Sequence, residues 1–407
     1  MTFIQVINHV LGEISPSLKE RREAEATAYE VKMMILNSLK EEGIKGEVVF
    51  GGSFARRTYL HGIHDIDIFV RFKQQKDMDK FEKIVKNVFP DAEKIKGSRD
   101  YFNAKYKGIK FEFIPVLLVK SPMEAVNSMD ASVFHVDYIN SRLNDALRNE
   151  VFLLKQFCKG TGAYGAESHI GGFSGYVIEL LILHFGSFKR FLEFINTSSG
   201  RIFIDMEGYY DSVSDGLRAL KVNKLLTPMV IVDPVLPTRN AAAGLTRESF
   251  DRFVLQARLF LLNPRKSFFI VKKRTVGDLR ELASLRGHHL FIHKFSGKGR
   301  KEVFLSKLKK ELSKMKLFLE REEFSVYDYG VLEDGTAFFE LEQAVLPRAK
   351  RVIGPPVTID EEHFKSFIDK KAINGPYVLE GRVCFDVERE HHLAKPLVEK
   401  LFRKIKL

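Results

Sequence analysis

The stretch VVFGGSFARRTYLHGIHDIDIFVRF, Val48–Phe72, contains two apolar segments that predict neighbouring β-strands. The second segment carries Asp65 and Asp67 at alternate positions. Because side chains alternate across a strand, both carboxylates should lie on one face while Ile66 and Ile68 point into the core. Adjacent carboxylates repel each other and require a compensating cation. Hard oxygen ligands set side by side suit Mg²⁺, and a pair of such ions suits phosphoryl transfer.

The turn after the first strand consists of two glycines and a serine. Gly51 and Gly52 let the backbone turn sharply and approach a ligand. Ser53 opens a predicted helix, and the amides of a helix N-terminus favour an anionic phosphate. The segment lacks the Lys-Ser or Lys-Thr pair of the GxxxxGK[ST] phosphate loop. The alternative interpretation is a plain tight turn followed by a strand with two solvent-facing aspartates.

A third carboxylate follows in a predicted β-hairpin. The segment YFNAKYKGIKFEFIPVL has two alternating runs that meet at Lys107-Gly108, and Glu112 lies in the second run. Glu112 either faces solvent, as charged strand residues usually do, or joins Asp65 and Asp67 around a metal ion. The strands and the flanking helical patterns together predict a small mixed sheet with helices on one face.

The composition is that of a globular chain with an excess of basic residues. At 407 residues the chain exceeds what one hydrophobic core usually serves, so we expect two or three domains. Lys and Arg total 65 against 53 Asp and Glu, which leaves a net charge of +12. Such a charge favours polyanions such as RNA, although many basic proteins bind no nucleic acid specifically.

The cysteines and apolar segments exclude several classes of protein. Cys158 and Cys384 are far apart, so the sequence offers no disulfide framework or cysteine-rich zinc site, which fits a reducing cytoplasm. The N-terminus lacks a basic leader and a cleavage pattern. The most apolar patch, residues 177–185, contains Glu179 and is too short to span a bilayer. We therefore expect a soluble, cytoplasmic protein without a membrane partner.

Helical periodicity dominates the middle of the chain. It predicts one continuous helix over residues 136–158, followed by a glycine-rich segment at 159–175 and another apolar helix. The glycines either simply connect two core helices or bring His135, Lys155 and Tyr164 towards a nucleotide. A protonatable ring, a positive charge and a hydroxyl suit a triphosphate.

The last third of the sequence adds an arginine and a basic run. Arg239 lies at a predicted turn, where it either forms a surface salt bridge or reads a base edge with its planar donors. Residues 268–271 predict an apolar strand. Lys294–Lys316 contains many lysines and few acids, and we expect it to contact phosphates rather than only face solvent.

Four motifs resemble known nucleotidyltransferases. The first, GGSFARRTYLHGIHDIDIFV, resembles the nucleotidyltransferase superfamily of DNA polymerase beta. Within this superfamily, the other three motifs resemble those of archaeal-type (class I) CCA-adding enzymes: NEVFLLKQFCKGTGAYGAE, GGFSGYVIELLILHFGSF and DPVLPTRNAAAGLT. The segment RVIGPPV is a looser match to the same family.

The resemblance implies an α+β fold with three parts. These are a small mixed-sheet nucleotidyltransferase catalytic domain at residues 1–135, a mostly helical central domain that selects the nucleotide at 136–250, and a basic α+β C-terminal tRNA-binding region at 251–407.

The resemblance also implies the site and the reaction. Asp65, Asp67 and Glu112 would be catalytic and would bind Mg²⁺. The nucleotide would be bound by Ser53, Arg56, His135, Lys155, Tyr164 and Arg239. The implied reaction is template-independent addition and repair of the 3′-terminal CCA of tRNA from CTP and ATP. The implied partners are thus the acceptor end of tRNA and the two nucleotides, with a homodimer as one option for assembly.

Two positions depart from the family pattern. The third acid is commonly Asp and here is Glu112, which is longer by one methylene; Ser132 stands where the family often has Thr. The nearest rival enzymes are poly(A) polymerases and other terminal RNA nucleotidyltransferases, which share the Asp65 and Asp67 motif. A catalytically silent RNA-binding protein is the rival of another class, but three uncompensated acids would cost stability if nothing bound them.

Overall fold

The chain folds into two units, Met1–Lys272 and Lys273–Leu407, in a computed structural model. The structure describes residues 2–62, 65–97, 99–127, 129–220, 227–297, 300–368 and 372–406. Ile63 and His64 of the first motif and Lys298 of the basic run lie outside the described residues.

The first unit begins with the elements of the predicted catalytic domain. They are α1 (Phe3–Ile14), α2 (Leu18–Glu41), β1 (Gly46–Phe50), α3 (Gly52–Ala55), β2 (Asp65–Phe72), α4 (Phe81–Val88), β3 (Glu93–Ile95), β4 (Tyr101–Tyr106) and β5 (Ile109–Leu117). The side chains of Thr2 and Ser17 cap α1 and α2 by accepting hydrogen bonds from backbone amides in the first turn.

These strands form one mixed sheet in the order β1-β2-β5-β4-β3. β2 and β5 run parallel, and the other neighbours run antiparallel. Ile66 and Ile68 are fully buried against α2 and α4, as the alternating pattern predicts. The opposite face holds a smaller cluster that includes Phe69, Val116 and Val133. The acidic positions of β2 therefore lie on a sheet whose two faces are both packed.

The middle of the first unit is mostly helical. Its elements are α5 (Ser132–Asn140), α6 (Asp145–Gly160), α7 (Gly175–Phe185), α8 (Phe188–Thr197), β6 (Ile202–Ile204), α9 (Val213–Ala219), β7 (Met229–Ile231) and α10 (Arg247–Leu262). The continuous helix predicted over 136–158 is wrong, because α5 ends at Asn140 and α6 starts again after its cap Asn144. The side chain of Asn144 accepts a hydrogen bond from the Leu147 amide, and this cap begins a new helix within an unbroken apolar pattern.

Residues 251–272 pack with the helical part of the first unit. Phe253 and Phe260 of α10 and Phe269 belong to the same buried cluster as α6 and α7. The apolar strand predicted at 268–271 is wrong, because residues Lys266–Phe269 form a 3₁₀ turn whose aromatic rings fill this core. The two boundaries between the three predicted domains stay predictions, and the second of them, at residue 250, lies inside α10.

The second unit combines two small sheets with helices. Its elements are α11 (Val276–Arg286), β8 (His289–Lys294), α12 (Lys301–Arg321), β9 (Val326–Val331), β10 (Thr336–Leu341), β11 (Ala349–Pro356), α13 (Glu361–Ile368), β12 (Asn374–Leu379), β13 (Arg382–Glu388) and α14 (Ala394–Lys404). The sheets have the orders β8-β10-β9 and β11-β13-β12. Leucines of α12 and α14 pack with β10 in one core. The α+β class predicted from the sequence is confirmed across both units.

The helices and the two cysteines can be compared with the expectations from the sequence. Within the described residues, every helix is too short or too polar to cross a bilayer. Cys158 and Cys384 are both buried and unbridged.

Candidate active site

Three carboxylates and one lysine meet on the neighbouring strands β2 and β5. The parallel register places Asp65 beside Lys110 and Asp67 beside Glu112. The Lys110 ammonium nitrogen lies 3.2 Å from Asp65 Oδ1 and 2.5 Å from Glu112 Oε1. Burial raises the pKa of Asp67 to about 6, and the negative charge of Glu112 is the second cause of this shift. Three carboxylates and one ammonium group therefore share this face of the sheet.

The glycine turn lies directly against Asp67. The Gly51 amide donates a 2.8 Å hydrogen bond to the backbone oxygen of Asp67. Gly52 has φ +56°, and a Cβ built there would lie 1.6 Å from Asp67 Oδ2. Only glycine fits this position without displacing the carboxylate. Ser53, half-buried in the first turn of α3, follows at once.

The donor set of this cluster fits a hard divalent cation. Carboxylate oxygens are the ligands that Mg²⁺ prefers, and the raised pKa of Asp67 marks a place where added positive charge is favourable. In the side-chain positions of the described residues, no three His, Cys, Asp or Glu groups already surround a metal position. The Lys110 ammonium supplies the positive charge between Asp65 and Glu112 in this arrangement.

A second cluster joins the sheet to the helical part of the first unit. Arg56 Nε lies 2.6 Å from Glu179 Oε2, and both side chains are nearly or fully buried. The Thr58 hydroxyl donates to the same carboxylate of Glu179. Lys155 of α6 donates a 3.1 Å hydrogen bond to the Thr58 backbone oxygen. Burial lowers the pKa of Lys155 to about 8, although the charge of Glu179 acts in the opposite direction.

Tyr164 lies beside this cluster on the glycine-rich segment. Its ring centre is 5.8 Å from the Lys155 ammonium and 5.3 Å from that of Lys159. Burial raises the pKa of the Tyr164 hydroxyl well above its usual value, so this group stays a hydrogen-bond donor at neutral pH. The glycine-rich segment thus contributes an aromatic ring that lies beside two ammonium groups.

A third cluster surrounds Asp233, a fully buried carboxylate. His135 Nε2 donates to Asp233 at 3.0 Å, the Tyr176 hydroxyl donates at 3.2 Å, and Arg239 Nη1 also donates. Burial alone would raise the pKa of Asp233, but the hydrogen bond and charge of His135, with the charge of Arg239, hold it at about 2. The Val235 amide donates to the same side chain, so Asp233 also shapes the turn before Arg239.

Electrostatic coupling links the three clusters. The charge of Arg56 acts on the pKa of Asp67 and of Tyr176, and the charge of Asp67 acts on the pKa of Lys155. The structure therefore gathers all nine predicted site residues around one region of the first unit: Ser53, Arg56, Asp65, Asp67, Glu112, His135, Lys155, Tyr164 and Arg239. Their individual roles stay predictions.

The residues that hold these groups were not predicted from the sequence. Glu179 was considered only as a charge that interrupts an apolar patch, yet a lone acid in such a helix signals a buried partner. Asp233 stands six residues before Arg239 in the quoted motif and was not singled out. Lys110 occupies the same strand face as Glu112, two residues earlier, and this alternation could have identified it.

A mixed sheet bearing three acids beside a glycine turn, with a buried basic cluster next to it, defines a nucleotidyltransferase. The model of the nucleotidyltransferase domain matches residues 32–135, and that of the second domain of tRNA nucleotidyltransferase matches 149–270. The model of the CCA-adding enzyme C-terminal domain matches 286–406.

Curated relatives then identify the family. The chain is 30% identical to the CCA-adding enzyme of Methanosarcina barkeri over 96% of this chain and 87% of that protein. It is 30% identical to that of Thermococcus kodakarensis over 87% of this chain and 81% of that protein. The chain belongs to the CCA-adding enzyme family.

Solved structures show the same fold at low sequence identity. A cytoplasmic RNA terminal U-transferase superposes with a TM-score of 0.51 at 14% identity, covering 67% of this chain and 99% of that one. Cid1 in complex with its short product ApU gives a TM-score of 0.52 at 13% identity, covering 66% of this chain and 98% of that one.

Proposed function

We propose that the protein adds and repairs the 3′-terminal CCA of tRNA from CTP and ATP without a nucleic-acid template. The observation that carries this proposal is the position of Asp65, Asp67 and Glu112 on adjacent strands beside a buried Arg and Lys. Near-full-length similarity to CCA-adding enzymes supports the choice of tRNA as acceptor.

The three carboxylates are the proposed Mg²⁺ ligands. Bound Mg²⁺ would supply activation of the attacking 3′-hydroxyl and charge neutralisation at the departing pyrophosphate. Asp67 is fixed for this role because the Gly51 amide binds its backbone and Gly52 leaves room for its side chain. The buried β5 neighbours Phe111 and Phe113 fix Glu112 on the same face.

The basic cluster is the proposed binding site for the triphosphate. Arg56 forms a buried ion pair with Glu179, and Lys155 donates a hydrogen bond to the Thr58 carbonyl. A phosphate group near Lys155 would offset the burial that lowers the pKa of Lys155 to about 8, and would favour the charged ammonium. The hydroxyls of Ser53 and Tyr164 are further proposed donors to the phosphates. His135, which contacts Asp233, is also proposed to bind the nucleotide.

Arg239 is the proposed reader of the base. Its guanidinium is about one-third exposed and is oriented by Asp233, so its planar donors have a defined direction. We expect Arg239→Ala to reduce the discrimination between CTP and ATP more than it slows turnover. Single-nucleotide competition assays measure this ratio, and unchanged discrimination would exclude the role.

The second unit is the proposed tRNA-binding region. On α12, Lys307, Lys310 and Lys314 are exposed on the side opposite the buried leucines. A-form helices present phosphates and 2′-hydroxyls rather than readable base edges, so such a lysine face would recognise the shape of the acceptor stem. We place the reaction in the cytoplasm. A homodimer stays a prediction that sedimentation analysis of the purified chain can test.

The deciding experiment sizes the products made on a tRNA that ends before its CCA. The protein is incubated with Mg²⁺ and with CTP, ATP, UTP and GTP, singly and in pairs. We expect two additions with CTP alone and a third only when ATP is present. Long ladders from ATP or UTP alone would indicate a poly(A) polymerase or another terminal transferase, and binding without extension would indicate a silent RNA-binding protein.

Asp67→Ala is the test of the carboxylate assignment. We expect this variant to fold normally and to transfer no nucleotide, whereas Asp79→Ala, on an exposed position of the same unit, keeps full activity. Measurable incorporation by Asp67→Ala would remove the proposed metal site.

A further inference from the structure

Four charged side chains form a square on the face of β2 and β5. Asp65 and Asp67 alternate on one strand, and Lys110 and Glu112 alternate on the other. The register pairs Asp65 with Lys110 and Asp67 with Glu112. Residues two apart on a strand share a face, so one ammonium group and three carboxylates occupy a single patch.

Lys110 contacts two of the three proposed metal ligands. Its Nζ lies 2.5 Å from Glu112 Oε1 and 3.2 Å from Asp65 Oδ1, while about one-third of its side chain is exposed. Lys107, at the turn of the same hairpin, contacts Glu30 instead, at 2.6 Å. The Lys110 ammonium therefore lies between two of the three acids of the patch.

We propose that Lys110 is a built-in counter-ion of the metal site, which a divalent cation must displace in order to bind. This inference rests on the proposed function, in which Asp65, Asp67 and Glu112 are the metal ligands. The ammonium keeps the carboxylates close together without metal, and it competes with the cation for the oxygens of Asp65 and Glu112. Lys110 thus sets the cation concentration at which the enzyme becomes loaded.

Two opposite effects follow for a variant that lacks the ammonium. Without metal, the carboxylates of Asp65 and Glu112 lose the ammonium that contacts both of them, and the unfolding temperature falls. With metal, the divalent cation no longer competes with a positive charge, and its affinity rises about tenfold or more. A lysine that served only as a surface ion pair would produce neither the gain in affinity nor a metal-dependent change in stability.

The test measures metal binding and stability rather than catalysis. Full-length protein without nucleotide is titrated with Mn²⁺ alone, which replaces Mg²⁺ at oxygen sites and is counted by electron paramagnetic resonance. Lys110→Met keeps an unbranched side chain of similar length and removes the charge. Lys110→Arg keeps the charge, and Lys107→Met is the matched control on the same hairpin. Thermal unfolding is recorded for each variant in chelator and in excess Mn²⁺.

We expect Lys110→Met to bind Mn²⁺ at least about tenfold more tightly than the wild type, to unfold earlier in chelator and to gain more stability from Mn²⁺. Lys110→Arg and Lys107→Met should match the wild type. Equal Mn²⁺ affinity in Lys110→Met and the wild type would overturn the inference. If Lys110→Met does not fold in chelator, failure of Mn²⁺ to restore folding would also overturn it.

Asp67→Asn separates this inference from the proposed function. Loss of Mn²⁺ binding in Asp67→Asn together with unchanged affinity in Lys110→Met would leave the metal site intact and remove only the role of Lys110. Unchanged Mn²⁺ binding in Asp67→Asn would show that the carboxylates are not the metal site, and the proposed function would fail with it.

Discussion

Replacing Asp233 by Asn should lower both the stability of the protein and the accuracy of nucleotide choice. The carboxylate accepts hydrogen bonds from His135, Tyr176 and Arg239 in a fully buried position. One pKa unit corresponds to about 1.4 kcal/mol, so lowering the pKa from 3.8 to about 2 stabilises the fold by about 2 kcal/mol. Asn cannot supply this negative charge, and its amide hydrogens face donors.

The stability difference between Asp233→Asn and the wild type should depend on pH in a defined direction. A carboxylate with a lowered pKa contributes stability that is complete above the unfolded value of 3.8 and is lost as the pH falls through about 2. The free energy of unfolding in urea should thus be about 2 kcal/mol lower for Asp233→Asn at pH 7, and the difference should shrink between pH 5 and pH 2.

The control is Asp205→Asn in the same unit. Within the described residues, Asp205 accepts hydrogen bonds from the backbone amides of Gly208 and Tyr210, so we expect a smaller loss of stability. Discrimination between CTP and ATP should fall in Asp233→Asn, because Arg239 loses the partner that orients it. A constant stability difference from pH 7 to pH 2 would refute the electrostatic reasoning, and intact discrimination would refute the orienting role.

Three further predictions concern the turn, the buried ion pair and the basic helix. Gly52→Ala should abolish transfer while costing only about 1–2 kcal/mol of stability, since the new methyl group displaces the Asp67 carboxylate at a left-handed backbone position; activity near the wild-type level would contradict this. Glu179→Gln should cost about 3 kcal/mol in urea unfolding and raise the KM for nucleotides more than it lowers kcat, because Arg56 loses its buried partner; a pure kcat effect would contradict it. Replacing the exposed α12 residues Lys307, Lys310 and Lys314 by Ser should lower the steepness of the plot of log affinity for tRNA against log salt concentration by about 2–3. An unchanged slope would exclude this face as the binding surface.

The sheet was predictable because strand alternation and sequence order are local signals. Asp65 and Asp67 flank the buried Ile66, and this pattern alone places both acids on one face. The break between α5 and α6 was not predictable from periodicity, because the apolar spacing continues across it and only the cap at Asn144 interrupts the helix. The 3₁₀ turn at Lys266–Phe269 was missed because short apolar runs do not distinguish a strand from a buried turn.

The residues that orient the site escaped the sequence for a different reason. Glu179 and Asp233 contact partners more than 90 residues away in the chain, Thr58 and His135 respectively, so no local pattern reveals the pairing. A motif shows which groups are present, whereas their orientation is set by buried acids supplied from other elements of the fold. For Arg56 and Arg239 this means that each proposed phosphate or base contact depends on a carboxylate behind it. Each arginine in turn helps to stabilise its carboxylate, together with Thr58 at Glu179 and His135 at Asp233. Charge balance within the site and its readiness to bind a nucleotide are therefore two results of the same ion pairs.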